Sequence, residues 1–410
     1  MAIFIRNIFY DCLKYLDKDV FLIITGARQV GKTTLLKQIY RYLEEQGQPV
    51  YFINLEDPDY LKLLNEHPRN IFNLYQYPEE KKSFILVDEI QYLDNPTNFL
   101  KYLYDEYADH MQLIVSGSSA FYLDVKFKDS LAGRKKIFTL PTLTLDEFLT
   151  FKERPELSDM VKKIPVRQLT IQHLPLSAQR EIENYINEYM IYGGYPRVVL
   201  STDPHEKIEI LLELLTSYIK KDILESGIKN DQNVLALLRI LADQTGSLLN
   251  VNSLSKILRL SHSAIENYIY ILKKAFILFT ISPFAHNIRS EIRKMPKIFF
   301  ADTGLRNALL KNFEPLGLRR DRGDLYENFI FRQLSDRVSI DEIKFWRTQQ
   351  GNEVDFVISD RFAYEVKFQA EMIQLSKYTK FLKNYPNISL KFIYRVGQPV
   401  EAGKDIFFKF

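Results

Sequence analysis

The chain has 410 residues, 46% of them hydrophobic and 26% charged, with a net charge of +3. That length exceeds one hydrophobic core and points to about two to four domains of ordinary soluble composition. The near-neutral balance confines any nucleic-acid surface to a local patch, and a sole cysteine, Cys12, excludes an intrachain disulfide and a cysteine-based zinc site.

The opening residues lack the uninterrupted apolar run of a signal peptide, and no stretch approaches the about 18 apolar residues of a membrane span. A cytoplasmic protein without a membrane partner is expected. Five β-rich runs then alternate with helical segments, at 20–25, 50–54, 84–88, 112–116 and 136–140. This alternation predicts a parallel sheet covered on both faces, with ligands at the carboxyl ends of its strands.

Between the first run and the first helix stands Gly26-Ala27-Arg28-Gln29-Val30-Gly31-Lys32-Thr33-Thr34. It fits G-x-x-x-x-G-K-[ST] at every fixed position. Such a loop turns backbone N–H groups toward one point at the positive end of a helix, as a triphosphate requires. Lys32 is expected on the β- and γ-phosphates and Thr33 on Mg²⁺, with Gly26 to Thr34 lining the nucleotide. Arg28 is placed to hold a neighbouring acid or the nucleotide. No guanine-reading N-K-x-D motif stands at the expected place, so ATP with Mg²⁺ is the expected cofactor pair.

The third run ends in Asp88-Glu89. Four apolar residues deliver two carboxylates at a strand tip: Asp88 for Mg²⁺ and Glu89 to polarise the attacking water. A second acid there marks the additional-strand class of P-loop NTPases. The fourth run ends in Ser116-Gly117-Ser118-Ser119, where Ser116 and Ser118 are candidate γ-phosphate sensors or parts of a plain turn. Arg134, before the fifth run, is a candidate arginine finger. Acting in trans, it requires a homo-oligomer; the alternative is a surface arginine.

Residues 152–175 read as a linker or excursion, and 177–225 as helices broken at Gly193-Gly194-Tyr195-Pro196. These helices suit a lid, from which Arg197 contacts phosphate or merely caps a helix. Over 233–283 the apolar spacing predicts a winged helix-turn-helix. Val234, Leu237, Leu238 and Leu241 line its first helix; Val251, Leu254, Ile257 and Leu258 the second; Ile265, Tyr268, Ile269 and Leu272 the third. Ser263, Glu266, Asn267 and Tyr270 form the reading face. Arg289, Arg293, Lys294 and Lys297 crowd the wing, each suited to a phosphate of DNA or RNA. Packing against another domain or a protein is the rival role. Asp302-Thr303-Gly304 comes next; as a single copy it cannot form the carboxylate dyad of an aspartic protease.

The last hundred residues hold a second constellation. Glu327 lies on an amphipathic helix, and two alternating runs carry Asp355 and then Glu365-Val366-Lys367. Glu365 and Lys367 share a face. A hairpin tip at 359–361 sets Asp355 opposite Glu365; a tip one residue longer breaks the site. This order resembles the PD-(D/E)xK nuclease core. The resemblance implies Mg²⁺ or Mn²⁺ held by Glu327, Asp355 and Glu365, with Asp355, Glu365 and Lys367 catalytic in phosphodiester hydrolysis.

The phosphate loop, the Asp88-Glu89 strand, Val115–Ser119, Leu131–Phe148, the Gly-Gly-Tyr-Pro-Arg run and Phe299–Gly304 together resemble bacterial and archaeal AAA+-like ATPases with a C-terminal nuclease-like domain. The expected α/β organisation is a P-loop NTPase core with a parallel sheet over 1–150, a linker and helical lid over 151–230, a winged helix-turn-helix over 231–310, and a restriction-endonuclease-like α/β domain over 311–410. The expected function is an ATP-hydrolysing switch or motor coupled to a nucleic-acid-binding or nuclease-like domain. The alternative is a nucleotide-regulated scaffold for an unknown protein partner, with an inactive nuclease fold.

Overall fold

The computed structural model describes residues 4–75, 77–78, 81–117, 133–217, 231–285, 295–399 and 407–410. The chain divides into two compact units, Met1–Pro141 with Lys274–Phe276, and Thr142–Lys273 with Ile277–Phe410.

In the first unit, β1 (Phe21–Thr25), β2 (Val50–Asn54), β3 (Ser83–Asp88), β4 (Met111–Gly117) and β5 (Lys135–Thr139) form a sheet in the order β2-β3-β4-β1-β5. Every neighbouring pair is parallel. β4 stands between β1 and β3, as the additional-strand arrangement requires. β1, β3 and β4 are buried throughout, which explains their unbroken apolar runs, while the edge strands β2 and β5 are mostly half-buried or exposed. Among the described residues, helices α1 (Asn7–Leu13), α2 (Lys32–Glu45), α3 (Pro58–Glu66) and α4 (Pro96–Tyr107) belong to this unit. Leu35, Leu36, Ile39 and Leu43 recur on the buried face of α2 at helical spacing.

The second unit begins with α5 (Leu145–Phe151), α6 (Pro155–Lys162), α7 (Leu176–Tyr192), α8 (Pro196–Leu200) and α9 (Pro204–Ser217). Thr144 and Glu147 form a reciprocal capping box that starts α5. The stretch expected as a linker is packed instead. Leu157, Val161, Ile164, Leu169 and Ile171 are buried in the main core, and the Tyr364 hydroxyl donates to the Val166 carbonyl at 2.8 Å. Prolines and charges favour exposure there, but the apolar positions between them decide its place.

Three helices come next in the chain, α10 (Asp231–Asp243), α11 (Val251–Leu258) and α12 (His262–Lys274). Val234, Leu237, Leu238 and Leu241 are buried, as are Leu254, Ile265, Ile269 and Leu272; Ile257, expected on the inner face, is 57% exposed. β6 (Leu278–Pro283) and β7 (Lys297–Phe300) then pair antiparallel. Arg289, Arg293 and Lys294, on the expected wing, lie outside the described residues.

β6 and β7 belong to a larger sheet. With β8 (Ile343–Arg347), β9 (Glu353–Ile358), β10 (Phe362–Gln369), β11 (Ser389–Val396) and β12 (Phe407–Lys409) they form seven strands ordered β12-β11-β10-β9-β8-β6-β7. One sheet thus runs across the expected boundary at 310. The remaining helices among the described residues are α13 (Thr303–Leu310), α14 (Arg322–Ser335) and α15 (Thr379–Asn384). Leu325, Tyr326, Phe329, Ile330 and Phe331 of α14 enter the same core as Phe299, Phe356 and Tyr364 of the sheet. Trp346 is packed edge-on to Phe381 at 5.2 Å and is 5% exposed, which removes it from any stacking surface.

Candidate functional site

Register gathers the first set of residues. Thr25 pairs with Gly117, and Val87 with Val115, so the carboxyl ends of β1, β3 and β4 meet on one side of the sheet. Gly26–Gly31 lead from β1 into α2, whose first residue is Lys32. Gly31 caps the helix at φ 99°, ψ 27°, with open space around a would-be Cβ; backbone conformation is the reason for glycine there. At Gly26 space is the reason as well, since a Cβ would lie 2.2 Å from the Leu140 carbonyl oxygen. Ala27 and Val30 are buried beneath the loop, Arg28 and Thr33 are half-buried, and Gln29 and Thr34 are exposed.

The Lys32 ammonium donates to the carbonyls of Gly26 at 3.1 Å and Ala27 at 2.7 Å. The Thr33 hydroxyl donates to Asp88 Oδ2 at 2.6 Å. The other Asp88 oxygen accepts from the Ser116 hydroxyl, whose oxygen takes the Glu89 N–H at 3.2 Å. Ser116 is fully buried, so here it positions the two acids. Glu89 sits in the left-handed region at φ 60° and accepts from Gln91. Backbone strain beside a candidate reaction centre is a common mark of function. Ser118 lies outside the described residues.

One residue escapes the sequence reading. Arg6, 4% exposed at the start of α1, donates to the Val30 carbonyl at 2.9 Å and the Pro141 carbonyl at 2.8 Å. It braces the loop from behind. It stands 20 residues before Gly26 with no motif around it, so local spacing holds no signal.

Arg134 is not near this end of the sheet. Phe21 opens β1 and pairs with Lys135, and the Arg134 carbonyl accepts from the Phe21 N–H. The side chain pairs with Asp105 and lies over the Tyr104 ring at 5.5 Å. Five residues of strand separate it from the loop, roughly 16 Å at about 3.3 Å per residue. At that separation, and paired with Asp105, the guanidinium does not reach the phosphate loop of its own chain.

Two further signatures meet in the second unit. Asp302 is buried at the start of α13, accepting from the Leu305 N–H at 3.0 Å and the Gly194 N–H at 2.8 Å. Thr303 donates to the Tyr189 carbonyl at 2.9 Å, and Asn307 to the Met190 and Ile191 carbonyls at 2.9 and 2.8 Å. The Gly-Gly and Asp-Thr-Gly motifs are thus two halves of a clasp that satisfies the open end of α7. Arg197 faces outward and pairs with Glu213 at 2.8 Å, with 57% of its side chain exposed.

A second polar cluster lies on the seven-stranded sheet. β9 and β10 pair Ile358 with Phe362 and Tyr364 with Phe356, so the tip is 359–361, and Asp355 and Glu365 follow directly on the last of these pairs. Lys367 bonds Glu365 and stands 3.9 Å from Asp355 Oδ2, which also accepts from the Val366 N–H at 2.9 Å. Glu327 of α14 belongs to the same cluster. Lys297, expected on an exposed wing, is 1% exposed at its centre. Its ammonium is 2.9 Å from Glu327 Oε1 and 3.3 Å from Asp355 Oδ1, and it also pairs with Glu353, which Arg347 meets at 2.8 Å. Clustered basic residues around it in sequence disguise a strand position that points inward.

Burial, with the neighbouring Asp355 charge, raises the Glu327 carboxyl to about 8 and Glu365 to about 7. Burial acts the same way on Asp355, but the Lys367 and Lys297 charges and the Val366 N–H outweigh it and hold this carboxyl below its ordinary value. Lys297 stays charged: burial opposes it, and Glu327, Asp355 and Glu353 more than compensate. Among the described residues no group of three or more His, Cys, Asp and Glu is arranged to hold a metal ion.

Comparison with known proteins matches residues 18–149 to an AAA domain, and residues 183–316 and 322–407 to two domains of unknown function, DUF8612 and DUF4143. An uncharacterized protein of Methanocaldococcus jannaschii is 26% identical over 386 residues, 90% of this chain and 81% of that protein. One of Haemophilus influenzae is 24% identical over 364 residues, 86% and 82% of the two chains. Among solved structures, a DnaA replication initiator bound to AMPPCP and single-stranded DNA shares 15% identity over 65% of this chain and 86% of its own, at a TM-score of 0.30. C. elegans PCH-2 shares 13% over 62% and 63%, at 0.32. Overlaps that loose do not bear on function. The AAA-domain match, taken with the five-stranded parallel sheet and its phosphate loop, makes the first unit an AAA-like P-loop nucleotide-binding ATPase domain.

Proposed function

We propose that this chain is a Mg²⁺-dependent ATPase that works as a switch, and that its second unit, a winged-helix and nuclease-like module, engages a nucleic acid. The observation that carries the ATPase reading is the 2.6 Å bond between the Thr33 hydroxyl and Asp88. Two hard oxygen donors stand side by side next to a helix N-terminus, a set suited to Mg²⁺ on a triphosphate. When bound, Mg²⁺ supplies charge neutralisation on the phosphates. Lys32 turns from the loop carbonyls to the β- and γ-phosphates, and the loop N–H groups take the remaining oxygens. Glu89 accepts a proton from the attacking water, with Ser116 holding its backbone in place.

Glu89→Gln tests this directly. The variant is expected to bind ATP with unchanged affinity and to hydrolyse it about 100-fold more slowly or worse. Wild-type turnover in the variant would remove Glu89 from the mechanism.

A second reading, a nucleotide-regulated scaffold for a protein partner, is favoured by one observation: the acidic cluster is already neutralised by Lys297. Retention on DNA separates the two. Binding at low salt that falls steeply as salt rises supports phosphate contacts, and no binding at low salt supports the scaffold.

A further inference from the structure

The acidic cluster draws its members from three places: Glu327 on α14, Glu353 and Asp355 on β9, and Glu365 on β10. A fourth element, β7, inserts Lys297 among them. Its backbone is fixed on both sides, by antiparallel pairing with Ile281 and with Leu248. Its ammonium lies within hydrogen-bond distance of three carboxylates, while Lys367 holds Glu365 and the Val366 N–H holds the second oxygen of Asp355. Glu327 Oε1, Glu365 Oε1 and both Asp355 oxygens are thus engaged by nitrogen donors of this chain, whereas the buried Glu365 Oε2 takes none. A divalent ion takes about six oxygen ligands at roughly 2.0–2.6 Å. An ion shared by Glu327, Glu353 and Asp355 would have to stand where the Lys297 ammonium stands, and two cations so close in a buried site repel strongly. At that position the residues present do not fit a resident metal.

We infer that Lys297 is the resident cation of this cluster: the chain's own ammonium occupies the place a divalent ion would need, and the nuclease-like sheet assembles as a metal-free, charge-neutralised site. None of the phosphate-loop residues takes part, so the ATPase reading stands or falls independently.

The test is Mn²⁺ uptake by the full chain without nucleotide, followed by electron paramagnetic resonance. Wild type and Asp355→Asn are expected to take up Mn²⁺ identically. A site present in wild type and lost in Asp355→Asn would overturn the inference. Lys297→Met is expected to gain a Mn²⁺ site and to melt at a higher temperature when Mn²⁺ is added, while Lys297→Arg gains neither. A folded Lys297→Met chain that takes up no additional Mn²⁺ would also overturn it. Should that variant fail to fold, the comparison of wild type with Asp355→Asn decides alone. ATP turnover measured on the same samples reports on the first unit independently.

Discussion

Each unit buries a lysine among oxygen atoms, and the oxygens differ in kind. Lys32 leans on the neutral carbonyls of Gly26 and Ala27; Lys297 is seated among the carboxylates of Glu327, Glu353 and Asp355. A hydrogen bond to a neutral carbonyl contributes about 1 kcal/mol net, so an arriving phosphate can draw Lys32 across at small cost. Breaking a buried ion pair by removing one partner costs about 3–5 kcal/mol, and Lys297 has three. The same side chain is a waiting ligand in one unit and a structural member in the other. The surrounding oxygens, and not the residue type, decide which.

Lys32→Ala gives the largest expected effect on this contrast. ATP turnover should fall about 100- to 1000-fold with little loss of stability, by analogy with removing one preorganised donor from a developing charge; steady-state phosphate release checks it. Lys297→Ala should do the reverse, costing about 3–5 kcal/mol of stability in the second unit by denaturant titration, because three carboxylates lose their counter-charge. If the two variants exchanged these phenotypes, the contrast would collapse. Arg6→Ala sharpens the first half. Losing two charge-assisted bonds behind the loop should cost about 2 kcal/mol and raise the KM for ATP, since the Val30 carbonyl is released. Arg134→Ala should be the mildest, under about 1 kcal/mol, because its pair with Asp105 is more than a third exposed. A turnover defect in that variant that appeared only at high protein concentration would restore a role in trans.

Legibility in the sequence follows distance along the chain. The phosphate loop fits within eight residues and its neighbours carry strong strand and helix patterns, so both its place and its geometry can be read. Asp355, Glu365 and Lys367 are readable because a hairpin alternates with period two, and three tip residues set the register. Lys297 is hidden because its partners stand 30, 56 and 58 residues away, and a local run of basic residues offers a simpler explanation. The stretch 152–175 is hidden for a related reason. Its prolines mark breaks between elements, and only the assembled core shows that Leu169 and Ile171 are fully buried within it.

The clasp at Asp302 has a consequence for synthesis. Asp302 meets Gly194 across 108 residues, and Asn307 reaches Met190 across 117. At about 5–20 residues per second, a growing chain finishes α7 roughly 5–20 s before the groups that satisfy its carboxyl end are made. The strands of the first sheet are complete by residue 139, so the phosphate loop can close behind the ribosome while the second unit is still missing its keystone. For that interval the half-made second unit exposes apolar faces of α7 to any holdase that binds them. Its vulnerable period in the cell is birth rather than maturity.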